Sequence, residues 1–395
     1  MLNFRSPGFL LLLLLFCAML FPGCPSDSGN EGSPPASGEG GVENQSGEGV
    51  DAEGSTPVQY ENGSQGAEVP PPQEEPGEAP GQSGDSILQE ACASALGDYP
   101  QWALVDTELV IWENADKSFN FRNSPEEPGT GISSPAGESE TLADMDFIGE
   151  NEVSYAVLTD SGWELGLFGL NGMDAPTNSR VYSAAGMFSL VDVSPISREE
   201  FIVLHYGAGD TAFIDYLNSS ASVSERISEV PAIGGVHKLA VSPKGTYFYL
   251  FHDGILELFD VSKREKLREF DSVVSAVWVG DSNILYSMDG GTYIYSVHSG
   301  ESGGLSRVGS ASSLHFIPKG KGGIAYTESG NAKVIGCSNW GQLAFKQGTA
   351  VLAFAGNETL IIKKGGNCFW RFFNSDWTLR ISDEVPLFAT IWGRY

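Results

Sequence analysis

The chain is predicted to be all-β: a single β-propeller of seven four-stranded blades, closed by N-terminal strands plus a C-terminal strand, behind a disordered N-terminal tether. Three observations predict it. A short apolar strand ending in Gly or Pro recurs at near-equal spacing. Hairpin signals follow inside the repeats, and helical periodicity is nearly absent after Gly97.

Residues 1–23 read as an export signal, with one basic residue, Arg5, before an apolar run from Phe9 to Phe21. That run is too short to span a bilayer as a helix. The segment Leu20 to Cys24 then resembles a bacterial lipobox, which implies a diacylglyceryl thioether on Cys24 as the mature N-terminus. Gly23 fits the position before the cysteine, whereas Phe21 and Pro22 depart from the usual pattern.

The linker, 24–85, cannot fold alone. From Pro25 to Asp85 it carries thirteen acids and no Lys or Arg, with thirteen Gly, nine Pro and eight Ser. Too little apolar surface is available there to offset the ordering entropy. Of the net charge of −29, this spacer holds −13; Arg5 adds +1, and the chain from Ser86 onward carries the remaining −17. An acidic balance throughout excludes binding of nucleic acid through a basic surface.

The lead-in, 86–100, holds the one helix signal, Ser86 to Leu96, capped by Asp85 or Ser86 and ended by Gly97. Among five cysteines, Cys17 leaves with the signal and Cys24 is the lipid candidate. Cys92, Cys337 and Cys368 remain, enough for one disulfide and one free thiol in an oxidising compartment.

The propeller is expected over 101–395. Its recurring strand reads MDFIG at Met145–Gly149, VDVSP at Val191–Pro195 and LAVSP at Leu239–Pro243. It continues as AVWVG to Gly280, LHFIP to Pro318, LAFAG to Gly356 and ATIWG to Gly393. Successive end points lie 46, 48, 37, 38, 38 and 37 residues apart, about one blade each. Within the third repeat, Tyr247 to Phe251 and Ile255 to Phe259 flank His252-Asp253-Gly254, and the fourth repeats the pattern around Asp289-Gly290-Gly291, with a weaker strand near Leu305 to Val308. The last first strand runs into the C-terminus, so its missing partners are expected upstream. Trp102 to Asp106, Leu109 to Glu113 and Ser118 to Arg122 would be the second, third and fourth strands of that blade. Such closure leaves no open sheet edge.

From Leu239 to Phe270 the order LAVSPKG, YFYLFHDG and ILELFDVSKREKLREF resembles the grammar of WD-repeat and bacterial YVTN-type propellers. The resemblance implies the fold. The Gly-His and Trp-Asp signatures of true WD repeats are missing, so their polar tetrad does not carry over.

Chemistry is sparse. Gly300-Glu301-Ser302-Gly303-Gly304 matches G-x-S-x-G but lacks the strand–elbow–helix context a serine nucleophile needs. His237 and His315 fall just before and within innermost strands, where they could approach a central channel with acids such as Asp146 and Asp192. Asp253, Asp289 and Glu328 occupy matching turns on one rim; Trp340 and Trp377 follow third strands and could reach a rim as binding anchors. The expected function is a non-enzymatic, membrane-tethered interaction platform of the bacterial cell envelope, on the outer membrane or cell surface. It would contact the bilayer through acylated Cys24, bind an envelope protein or peptide, and need no cofactor. Two other readings compete: a metal-dependent hydrolase or lactonase on a YVTN-like propeller, and a cell-wall polysaccharide module using the rim Trp and acids.

Overall fold

A computed structural model describes residues 83–95, 97–100, 110–114, 119–122, 130–170, 177–185, 189–206, 211–231, 233–234, 237–318 and 323–337. Beyond these it describes strands within 342–393, as backbone only. The signal and the linker up to residue 82 lie outside the described residues, as do Cys24, Trp102 to Asp106, Trp340 and Trp377.

Helix α1 runs Gly84–Ala95, two residues earlier than the cap signals suggest. Ser83 is the true cap: its carbonyl accepts the N–H of Ser86 at 2.8 Å and of Ile87 at 3.2 Å, and its hydroxyl also meets Ser86 N. Asp85 points away from the helix to accept from Ser306 N at 2.9 Å and from the Ser306 hydroxyl. Ile87, Leu88, Ala91, Cys92 and Ala95 form one buried stripe at helical spacing. Among the described residues no helix is long and apolar enough to cross a membrane.

Among the described residues the strands form seven antiparallel sheets. The first joins β1 (Val110–Asn114), β2 (Phe119–Arg122) and β3 (Thr130–Ile132) to the C-terminal strand β29 (Phe388–Gly393). β29 is innermost, with Ile111 opposite Trp392 and Phe121. The upstream segments therefore sit one place further in than expected: Val110–Asn114 is second and Phe119–Arg122 third, and Thr130–Ile132 supplies the fourth strand. Four sheets then follow in sequence order: β4–β7 (Thr141–Gly149, Glu152–Thr159, Gly162–Gly169, Thr177–Ala185), β8–β11 (Ser189–Pro195, Glu200–Tyr206, Thr211–Asn218, Val223–Pro231), β12–β15 (His237–Val241, Tyr247–His252, Ile255–Asp260, Glu265–Phe270) and β16–β19 (Val273–Trp278, Asn283–Met288, Gly291–Ser296, Ser302–Gly304). The sixth is β20–β23 (Ser313–Ile317, Gly323–Glu328, Asn331–Gly336, Gln342–Ala344). The seventh is β24–β27 (Ala350–Phe354, Thr359–Lys364, Asn367–Phe373, Leu379–Ile381), with β28 (Glu384–Val385) added on β26.

Burial explains the sequence patterns. Second strands such as Phe248 to Phe251 are buried on both faces, because each is sandwiched between neighbouring sheets. Fourth strands such as EKLREF face solvent and are charged. The core is distributed between successive sheets, as in Tyr249, Leu256 and Leu258 packed on Ala276, Trp278 and Ile284. Helix α1 fills the gap between the fifth and sixth sheets, against Leu285, Ile294, Leu314, Phe316 and Tyr326. Leu305 and Val308 belong to that cluster rather than to a strand, and Ser302–Gly304 is the outer strand instead. The reason is contact distance: a Cβ on Gly84 would lie 2.3 Å from the carbonyl oxygen of Gly303, so glycines meet where the helix crosses the sheet edge. A disulfide joins Cys92 to Cys337, with their Cα atoms 6.1 Å apart. Cys368 stands opposite Lys363 and Val385 in its sheet.

Candidate functional site

Five first strands, β4, β8, β12, β16 and β20, converge on one cavity of about 260 Å³. Two residues from the second position of the recurring pentapeptide line it, Asp146 on β4 and His315 on β20; Asp192 holds the same register on β8, but Ser194 and Pro195 are what that strand contributes to the lining. Lys238, Tyr249 and Trp278 complete the wall, and Tyr99, following α1, closes over it with its ring 6.0 Å from Phe316. Trp278 packs between sheets and spends its indole N–H on the carbonyl of Ala240 at 3.0 Å. Tyr249 donates to Ala276 O at 2.9 Å.

Side chains lace the first strands together. Asp144 accepts from Met145 N at 2.8 Å and Val193 N at 2.9 Å, Asp192 accepts from Leu239 N at 2.7 Å, and the Ser194 hydroxyl accepts from Val241 N at 3.0 Å. Three half-buried carboxylates thus stand near one exposed ammonium, Lys238. Burial, with the Asp144 charge second, pushes Asp146 up to about 7. Burial and the hydrogen-bonded Asp144 likewise hold Asp192 well above the usual carboxylate range. Enclosure, then Lys238, pushes His315 down to about 3, so its imidazole is neutral.

The other predicted residues do not gather here. His237 begins β12 opposite His252 and does not line the cavity. Asp253 accepts from Gly234 N at 3.2 Å, and Glu328 from Gly309 N at 2.6 Å while pairing with Lys333. Both acids therefore tie down the loop that enters their own sheet. Asp289 is exposed in its turn. No group of three or more His, Cys, Asp or Glu among the described residues is arranged to hold a metal ion.

Two buried polar triads escaped sequence reasoning. His205 Nε2 lies 2.9 Å from Asp215, which Arg226 also bonds, and Arg226 covers the Phe213 ring at 3.6 Å. One sheet later, His252 Nε2 sits 3.5 Å from Glu257, which Lys266 bonds at 2.8 Å. In each the histidine lies at the end of the second strand, last for His252 and next to last for His205, and the carboxylate lies on the third. Despite desolvation, His205 and Arg226 hold Asp215 below its ordinary value, as His252 and Lys266 do for Glu257. Glu257 in turn raises His252. The signal was a His directly after a second-strand apolar run, with an acid on the third strand that follows.

No protein-family model matches the chain, and no curated protein matches it. Among solved structures, a chain of the mitotic checkpoint complex matches at 13% identity and a TM-score of 0.45, covering 73% of this chain and 90% of that one. The tricorn protease matches at 10% identity and a TM-score of 0.46, over 73% of this chain but 35% of its own length. Likeness at this level says nothing of activity.

Proposed function

We propose that the protein is exported, anchored through acylated Cys24, and works as an interaction platform for an envelope protein or peptide. Its seven sheets form one closed ring, held off the membrane by the acidic segment. Supporting closure, β29 shares a sheet with β1–β3 and also touches β4 and β24, while β4 meets β8, β8 meets β12, β16 meets β20 and β20 meets β24. A ring of this kind offers rigid rims lined by loops.

The observation that carries the reading is the Cys92–Cys337 disulfide. Such bonds persist in oxidising compartments outside the cytosol, which is where the N-terminal signal would deliver the chain. The bond also welds the helix to the sixth sheet, 245 residues away in sequence.

The test is expression of the full chain and of Cys24→Ser in a bacterial host fed labelled palmitate. Label and membrane recovery in the wild type alone, with the folded domain open to added protease on intact cells or spheroplasts, is expected. Unlabelled protein in the cytosol with a free Cys92 thiol would overturn the address. For the platform, a photo-crosslinker at exposed Asp289, and separately one on the charged outer strand at Leu267, should trap a discrete adduct in membranes. No adduct from either would sink it.

A further inference from the structure

We propose that His252 is a proton-operated catch on the loop joining the third and fourth sheets, closed when its imidazole carries both ring protons and open when it carries one. This goes beyond the platform reading and does not depend on it.

His252 ends β13 at 6% exposure, and a carboxylate faces each of its ring nitrogens. Asp253 Oδ2, in the turn that follows, stands 3.6 Å from Nδ1, and Glu257 Oε2, on β14, stands 3.5 Å from Nε2. These are ion-pair distances rather than hydrogen bonds. Of the five buried side-chain polar atoms without a hydrogen bond among the described residues, three are these two nitrogens and Glu257 Oε2. An imidazole with one N–H has one bare nitrogen, so one of the carboxylates would face a lone pair. Only the imidazolium presents an N–H to both. His205, the matching histidine of the third sheet, meets its carboxylate at Nε2, where a single N–H serves it.

Around the ring, His237 stands opposite on β12, and Lys266 of β15 bonds Glu257 Oε1 at 2.8 Å and Glu269 at 2.7 Å. In the third sheet Tyr206 spends its hydroxyl on Ile233 O at 2.6 Å. Glu257 first, and Asp253 with it, raise His252 above its ordinary 6.5 despite desolvation.

The two carboxylates are not equally free. Glu257 is 6% exposed and is fixed by Lys266 through its other oxygen. The Asp253 side chain is 40% exposed, and the oxygen that faces His252 is the one that accepts Gly234 N at 3.2 Å. When the ring loses its second proton, Asp253 is therefore the group that turns to water, and Gly234 N loses its acceptor. Gly234 lies between β11 and β12, next to Ile233 in the core shared by the two sheets. The catch is complete below 6.5 and is lost as pH climbs through the folded value. The sixth sheet carries the same tie without a histidine: Glu328 holds Gly309 N at 2.6 Å, and its companion is Lys333.

Hydrogen exchange of the full chain from pH 5 to pH 9, corrected for the intrinsic pH dependence of exchange, tests this. Protection in peptides containing Gly234 should fall as pH rises, while peptides containing Gly309 stay level. Proton resonances of the histidine rings, with His252→Gln identifying the signal, should show His252 titrating above 6.5. Asp253→Ala should lower that midpoint and leave Gly234 exchanging fast at every pH. By linkage, each unit of the lowering corresponds to about tenfold in Gly234 protection. His252→Gln should abolish the pH dependence at Gly234. Parallel profiles at Gly234 and Gly309 in the wild type would overturn the proposal, whatever the variants do. So would a His252 midpoint at or below 6.5, or an unmoved midpoint in Asp253→Ala with its circular dichroism unchanged.

Discussion

Cys92 on the helix is bonded to Cys337, just past the third strand of the sixth sheet and 245 residues away in sequence. Around that bond, Asp98 holds Asp281 N at 2.9 Å and Lys244 Nζ at 2.5 Å, and Asp85 holds Ser306. The helix is thus fastened at its start, middle and end. Cross-links of this kind contribute about 2–5 kcal/mol, chiefly by restricting the unfolded chain. Cys92→Ser should lower the urea midpoint accordingly, and reductant should have the same effect on wild type but none on the variant. Limited proteolysis should then cut between residues 83 and 100. An unchanged midpoint would show that packing alone holds the helix.

Gly84 makes a sharper prediction, because two effects oppose each other. Replacing a helical Gly by Ala gains about 1 kcal/mol from propensity. Here the new methyl would meet the carbonyl oxygen of Gly303 at 2.3 Å, and main chain cannot swing aside as a side-chain tip can. Gly84→Ala should therefore lose stability, with a Tm several degrees lower by calorimetry. A higher Tm would mean the helix can ride up without cost.

Asp289, Asp253 and Glu328 look alike in sequence but should behave differently. Glu328→Ala strands Gly309 N and Lys333, and should cost about 1–3 kcal/mol in urea unfolding. Asp289 is exposed, so Asp289→Ala should stay within about 0.5 kcal/mol. Equal losses would show that both serve only as turn formers.

The pH dependence has a worked sign. His252 is raised above its ordinary 6.5, so its contribution is complete below that value and is lost as pH climbs through the folded value. Asp146 is raised from 3.8 to about 7, so the folded protein binds the extra proton between these limits and stability falls as pH rises through them. Asp215 and Glu257, both lowered, contribute above their ordinary values and lose that contribution on acidification. Tm should accordingly decline from pH 5 to pH 8. Asp146→Asn should flatten the fall between pH 5 and 7, and His252→Gln should remove part of the fall near and above pH 6.5. A flat wild-type profile would contradict both assignments.

Strand order was legible because period and turn chemistry are local. LAVSP, HDG and the FDV run each sit where their own residues place a first strand, a hairpin and a third strand. Asp146, Asp192 and His315 were legible as channel candidates for the same reason, since one register of a repeating pentapeptide faces one way. The triads of His205 and His252 were not, because a diagonal pair across two strands depends on register. Lys238 and Tyr99 were missed similarly: one precedes the aligned register, and the other reaches the cavity only because the helix docks.

What the sequence by itself determined is the all-β character, the spacing of the strands and the presence of one helix, properties written in neighbouring residues. Only the tertiary structure decided that Cys92 pairs with Cys337, that Asp253 and Glu328 clamp loops, and that five distant strands bring Asp146, Lys238 and His315 around one cavity. Those outcomes depend on distances between residues tens to hundreds of positions apart. Apolar packing between sheets sets these distances, and periodicity along the chain does not encode them.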